Sequence, residues 1–326
     1  MAILVTGGAG YIGSHTVKEL LNKGYKVVVY DNLSTGHRDF VPKQAVFIKG
    51  DLNNTKKLDS VFKKYKIDSV MHFAAFIEAG ESVNYPLSFY ENNVVNSLNL
   101  FRIMIKNNVK KIIFSSSAAV YGIPKNIPVQ EDDQKNPINP YGHSKLMVEK
   151  ILKSFDKAYG MKFIALRYFN AAGAALDSTI GEKHSLETHL IPIILDVALN
   201  KKSIKIFGTD YPTEDGTCIR DFVHVIDLAN VHILALKALN KKNPKSRYYN
   251  LGSENGYSVK EVIKICRKIT GHKIPAVNSD RRPGDPPILI ASSEKIKKEL
   301  KWKPKYTDLN IIVKSSWNWI KKNHAE

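Results

Sequence analysis

The chain has 326 residues, 43% hydrophobic and 25% charged, with a mean hydropathy of -0.24. That composition excludes disordered, collagen-like and disulfide-scaffold proteins and leaves a globular chain long enough for two domains. With 49 Lys and Arg against 31 Asp and Glu the net charge is +18. The lysines fall in scattered pairs (Lys56-Lys57, Lys110-Lys111, Lys201-Lys202, Lys241-Lys242, Lys297-Lys298, Lys321-Lys322), the pattern of solvated helix faces and not of a nucleic-acid surface. Cys218 and Cys266 lie far apart and outside any CxxC pair, so neither a disulfide framework nor a cysteine zinc site is expected, and no metal site is assigned. No stretch approaches the ~20 apolar residues of a membrane span and the first ten residues carry no basic region. A cytoplasmic protein without membrane partners is the expectation.

In chain order, short β-branched runs at 2–6, 26–30, 45–49, 69–73, 110–115 and 162–167 alternate with helical patterns. This predicts an α/β fold, a Rossmann-type doubly wound parallel sheet. Beyond about 167 the alternation gives way to loops rich in Gly, Pro, Asp and Thr, which predicts a smaller mixed α/β C-terminal lobe for substrate. The division expected is 1–170 for the dinucleotide domain and 171–326 mainly for the substrate, with about 217–240 returning to the first.

Immediately after the first run comes TGGAGYIG, residues 6–13. It can be read as Gly7-x-x-Gly10-x-x-Gly13 or as Gly8-x-Gly10-x-x-Gly13. Such glycines let backbone approach a pyrophosphate at a helix N-terminus. The next strand ends in Asp31, where an acid binds a ribose 2′-hydroxyl and repels a 2′-phosphate, so NAD is favoured over NADP. Asp51 follows the third run as a cofactor contact or as a helix N-cap, and His72-Phe-Ala-Ala75 ends the fourth.

Two Tyr-x-x-x-Lys pairs occur, Tyr121/Lys125 and Tyr141/Lys145, about the number chance would give. Pro124 breaks any helix through the first. The second follows Asn139-Pro140, an N-cap with Pro at the first helical position, so Tyr141 and Lys145 share a helix face at i,i+4. A neighbouring ammonium favours the phenolate and lets Tyr141 accept a proton from an alcohol. Ser117, in the Ser-rich run leaving the fifth strand, is the hydroxyl expected to fix that alcohol; its other role is to stabilise a turn.

TGGAGYIG, the SSS loop and YGHSK together resemble the extended short-chain dehydrogenase/reductase superfamily. HFAAFIEAGES (72–82), Asn92-Asn93, LRYFNAAGA (166–174), IFGTDYPTEDGTCIRDFVHV (206–225), RRPGDP (281–286) and WKPKYTDL (302–309) narrow the resemblance to the UDP-glucose 4-epimerase family. The resemblance implies a homodimer with tightly held NAD, contacted by Gly7, Gly10, Tyr11, Ile12 and Gly13, by Asp31, Asn32, Asp51 and Leu52, and by Phe73, Ala74, Asn92 and Phe169, besides Tyr141 and Lys145. It implies reversible interconversion of UDP-galactose and UDP-glucose through a 4-keto sugar. The UDP-sugar is then held by Ser117, Tyr141, Asn170, His189, Leu190, Phe207, Arg220, Arg282 and Asp285. Leu289 stands where bulk governs a 2-acetamido group, so N-acetylated substrates stay open. Phe222, Ile77 and His189 depart from the commoner Tyr, Lys and Asn. A 4,6-dehydratase is disfavoured because Ala118 and Ala119 supply no acid. A silent NAD-dependent binding protein is the reading from another class.

Overall fold

Runs of Val and Ile, buried on both faces, build the centre of the molecule. In the computed structural model, β1 (Ala2–Thr6), β2 (Val27–Asp31), β3 (Val46–Lys49), β4 (Ile67–His72), β5 (Lys111–Ser117) and β6 (Lys162–Tyr168) are followed by β7 (Asn170–Ala172), β8 (Ile204–Phe207), β9 (Ile219–His224), β10 (Arg247–Leu251), β11 (Gly256–Ser258), β12 (Ala276–Ser279) and β13 (Ile288–Leu289). The structure describes residues 1–324 except Ser185, Lys201, Pro283 and the side chain of His324. Lys201 of the lysine pairs and Pro283 of RRPGDP therefore lie outside the described residues. The main sheet is parallel, in the order β3-β2-β1-β4-β5-β6-β10. The order reverses between β1 and β4, and such a switch point opens a crevice at the carboxyl ends of the strands.

Helices α1 (Tyr11–Asn22), α2 (Thr55–Tyr65), α3 (Ala79–Asn84), α4 (Pro86–Tyr90), α5 (Asn96–Lys106) and α6 (Pro140–Tyr159) occur in the first half, and α7 (Leu190–Asn200), α8 (Val225–Leu239), α9 (Val259–Thr270), α10 (Glu294–Leu300) and α11 (Leu309–His324) in the second. The two-residue period of a strand divides the sheet between them. Ile3, Val5, Val27 and Val29 point to a core shared with α1 and α8. Ala2, Leu4, Val28 and Tyr30 point to the other core, closed by α2, α5 and α6. Each fully buried Leu, Val or Ile contributes roughly 1.5–3 kcal/mol. A third core joins α7, α9 and α11 with β8 and β9 in the C-terminal lobe.

The sheet has seven strands, not the six expected: β10 joins the edge beside β6. Its sequence, Arg-Tyr-Tyr-Asn-Leu, has no clean alternation because Arg247 and Tyr249 grip Glu299 at 3.0 and 2.8 Å while Tyr248 stacks on Phe163. The segment from Tyr90 to Lys106 is one helical run. It passes from α4 through a π-helical turn at Glu91–Val95 into α5.

Candidate active site

The glycine-rich turn after β1 takes the Gly7-x-x-Gly10-x-x-Gly13 form. Gly7 has φ +71, and a Cβ there would stand 2.5 Å from the Ala74 nitrogen. At Gly13 a Cβ would meet the Gly7 carbonyl at 2.1 Å, so this glycine lets α1 pack on its own turn. Gly10 is different: only the Gly7 oxygen, at 3.4 Å, comes near a Cβ, and its open side faces the crevice. Gly8 packs toward Val29 and serves the strand interface. Gly10 caps α1 with no side-chain acceptor, leaving first-turn amides for an anion.

A cavity of about 300 Å³ runs along this edge. Every residue expected to hold NAD lines it: the turn, Tyr11 and Ile12, the acids of β2 and the loop after β3, Phe73 and Ala74, Asn92 and Phe169. Asp31 accepts from the Ala9 and Leu33 amides at 2.9 and 2.8 Å, and burial raises its pKa. Asp51 is no N-cap: Asn54 caps α2, while Asp51 accepts from Asn32 at 2.8 Å and lines the cavity. The π-helical turn presents Asn92 to the cavity, while Asn93 ties down the loop after β4 through the Phe76 amide at 2.8 Å and carbonyl at 3.0 Å. First-turn amides at a helix N-terminus, with the Asp31 and Asp51 carboxylates lining the same cavity, fit a dinucleotide.

On the opposite wall, Asn139 caps α6 by accepting from the Gly142 amide at 2.8 Å, with Pro140 at the first position. A Cβ on Gly142 would stand 2.5 Å from the Ala119 carbonyl. This close approach seats Tyr141 beside Ser117, which also caps the turn at Ala118–Tyr121 by accepting from the Ala119 amide at 3.1 Å. The turn-stabilising role foreseen for Ser117 is thus present, and the residue also lines the cavity. Burial raises the Tyr141 pKa, a hydrogen bond with Ser117 opposes that, and the charge of Glu78 adds to it. Lys145 Nζ lies 5.7 Å from the Tyr141 ring centre and donates to the Ser115 carbonyl at 2.9 Å. Burial pulls its pKa down to about 7, so its charge at neutral pH responds to what binds nearby. Tyr121, of the other Tyr/Lys pair, is buried in a network with Arg167 and Asn250, each at 2.7 Å.

Of the expected sugar-nucleotide residues, Ser117, Tyr141, Asn170 and His189 line the cavity. Phe207, Arg220, Arg282 and Asp285 gather outside it in the C-terminal lobe. Arg282 lies 3.9 Å over the Phe207 ring and Arg220 pairs with Asp285 at 3.3 Å. Leu190 opens α7 next to His189. Leu289 pairs in register with Arg220 and, like Phe169, packs against the buried cluster of Val120, Tyr121 and Val129. Asp221 does not pair with Arg220. It is buried and accepts from Ser253, Glu254 and Ala291 amides at 2.7, 3.1 and 3.1 Å, and burial lifts its pKa to about 6. Phe222 is core, where a Tyr hydroxyl was noted as missing. Glu182, His184 and Glu187 were not singled out from the sequence. They adjoin His189, whose Nδ1 lies 2.8 Å from Glu182; the spacing Glu-x-His-x-x-Glu-x-His was the available signal.

A family model described as the NAD dependent epimerase/dehydratase family matches residues 3–252. The chain is 53% identical to a UDP-glucose 4-epimerase of Halalkalibacterium halodurans over 324 residues, 99% of this chain and 96% of the relative. A crystal structure of a UDP-glucose 4-epimerase superposes with TM-score 0.97 at 47% identity, covering 99% and 98% of the two chains. A UDP-glucose 4-epimerase from Bifidobacterium longum in complex with NAD+ and UDP superposes with TM-score 0.94 at 41% identity, covering 99% of each.

Proposed function

This chain belongs to the NAD dependent epimerase/dehydratase family, and from that premise we infer that its crevice carries out NAD-dependent 4-epimerisation of UDP-sugars, with Tyr141, Lys145 and Ser117 as the catalytic set. One observation carries the residue assignment: the α6 N-terminus brings Tyr141 against Ser117 in the same cavity as the glycine-rich turn. Tyr141 takes the proton of the sugar 4-hydroxyl as C4 becomes a ketone and returns it when C4 is reduced, so net redox is zero. NAD, held by the glycine turn, Asp31 and Asp51, supplies the hydride acceptor and donor. Ser117 holds the 4-oxygen, and Lys145 sets the charge around the phenol.

UDP-galactose and UDP-glucose are the substrates this reading assigns. Phe207 offers its ring to the uracil, and Arg220 and Arg282 bring positive charge to the diphosphate. The C-terminal lobe, from about 171, is thereby the sugar-nucleotide half. The reading also includes a homodimer across α3 to α6, supported by exposed Val83, Tyr85, Leu87, Val95 and Met147 on that face; its check is a solution mass near twice the 36.7 kDa chain. Among the described residues no helix is long and apolar enough to cross a membrane. The buried free thiols of Cys218 and Cys266 suit a reducing, cytoplasmic setting.

The catalytic assignment is tested by Tyr141→Phe. Turnover should fall by about 10²–10⁴-fold, the size of a general acid-base contribution, with NAD still bound. Turnover at the wild-type rate in that variant would remove Tyr141 from the mechanism.

A further inference from the structure

We propose that Glu182, His184, Glu187 and His189 form a binding site for one Zn²⁺ ion in the loop that leads into α7, beside the cofactor crevice. Each residue offers one ligand atom, and the four lie within 4.8 Å of one another. The individual separations carry the proposal further. His189 Nδ1 is 2.8 Å from Glu182 Oε1 and 3.3 Å from Glu187 Oε1, and His184 Nδ1 is 3.2 Å from Glu187 Oε2 and 3.7 Å from Glu182 Oε1. Zinc–nitrogen and zinc–oxygen bonds of ~2.0–2.2 Å in a tetrahedron put neighbouring ligand atoms about 3.3–3.6 Å apart, inside the observed range of 2.8 to 3.7 Å, with Glu187 turning a different oxygen to each histidine. Two imidazole nitrogens and two carboxylate oxygens suit zinc; magnesium and calcium favour all-oxygen shells.

A second observation is independent of that spacing. The Glu182 side chain is only 6% exposed, yet its Oε1 has no hydrogen-bond partner, and neither has His189 Nδ1. The two atoms stand close without being aligned as donor and acceptor, as atoms do when both address a third centre. A buried carboxylate oxygen without a hydrogen-bond donor is destabilising, and a cation between the ligands would offset that. Glu182, His184 and His189 also line the cavity together with Tyr11. Carboxylates facing a crevice for diphosphates would repel them; a bound dication reverses that sign.

Untagged protein, with its NAD in place, is treated with a chelator, dialysed and titrated with Co²⁺ as a spectroscopic stand-in for zinc. The expected result is one Co²⁺ per chain with the intense visible bands of tetrahedral cobalt, displaced by Zn²⁺. His184→Ala and Glu187→Gln should each weaken binding at least about a hundredfold, while His272→Ala, far from the cluster, should bind as the parent does. Weak binding without tetrahedral bands, or binding unchanged in the His184 and Glu187 variants, overturns the site. If those variants fail to retain NAD, anomalous diffraction from cobalt-loaded parent crystals decides. A peak among the four side chains supports the site and a peak elsewhere refutes it. None of these readouts depends on the epimerase chemistry.

Discussion

At the scale of single residues, the site turns on where burial places charge. Tyr141 and Lys145 are both shifted toward their neutral forms, and desolvation is the first cause for each. The cationic nicotinamide of a bound NAD would then have large leverage on a proton there. Leu289 acts by volume. Like Phe169 of the cavity wall it packs on the Val120, Tyr121 and Val129 cluster, and it pairs in register with Arg220, so under the proposed function its side chain would limit room beside the sugar. Given an equimolar mixture of UDP-galactose and UDP-N-acetylgalactosamine followed by proton NMR, Leu289→Ser should raise the rate on the acetamido sugar relative to the parent by about tenfold, as expected for a lost steric conflict of ~1–3 kcal/mol. An unchanged ratio would take specificity away from this position. The sequence made Tyr141, Lys145, Ser117 and the glycines legible because each sits in a local pattern of fixed spacing. Arg282 stacked on Phe207, and Asp221 tying down the segments at Ser253–Glu254 and Ala291, depend on partners tens of residues away and carry no local pattern.

At the scale of elements, two short segments position nearly everything. The turn from β1 into α1 uses its three glycines for three different approaches: to Ala74, to the crevice and to its own first carbonyl. Gly10→Ala therefore separates fold from function. The φ of -80 at Gly10 suits alanine and the added Cβ meets only one atom at 3.4 Å, so thermal stability should stay within about 1 kcal/mol, while bound NAD in the purified protein should be largely lost. Full NAD occupancy in that variant would mean the pyrophosphate does not pass Gly10. Helix α6 is fixed on its far side by Glu149, whose carboxylate takes two hydrogen bonds from Arg167 of β6, at 2.8 and 2.7 Å, and one from Ser116 at 2.6 Å. This buried pair holds the helix to the sheet below Tyr141. The start of α6 was readable from Asn139-Pro140, because caps are local chemistry, whereas at α2 the cap falls on Asn54, three residues past the Asp51 considered for it. β10 was not, because a short edge strand is defined by its neighbour β6 and by the grip on Glu299.

At the scale of the whole molecule, four buried histidines tie stability to pH. Burial lowers His15 and His232 to about 4, and His72 and His224 to about 3. Their folded pKa values lie below the unfolded value near ~6.5, so the native state binds fewer protons. Their contribution to stability is complete above about pH 6.5 and is lost as pH falls toward 4. Asp221, raised to about 6, opposes this, as do Asp31, Glu131 and Asp227, which burial also raises. Replacing His232 with Gln should flatten the loss between pH 6 and pH 5 by nearly one proton, about 1.4 kcal/mol per pH unit, measured by urea unfolding of the two proteins. Equal slopes would mean that His232 is protonated in the fold. The doubly wound architecture was legible from alternation alone, whereas the path of the chain after β6 was not. The chain crosses to β7 and β9 of the second lobe and comes back through α8 and β10, and those choices rest on long-range pairing.

In the proposed reaction C4 of the sugar loses and regains the same hydride within the crevice. UDP-galactose carrying deuterium at C4, incubated in ordinary water with the purified protein and no added NAD, tests it directly. The predicted product is UDP-glucose that keeps its deuterium at C4. Product in which that deuterium has been replaced by solvent hydrogen, or no product even after NAD is supplied, would contradict it.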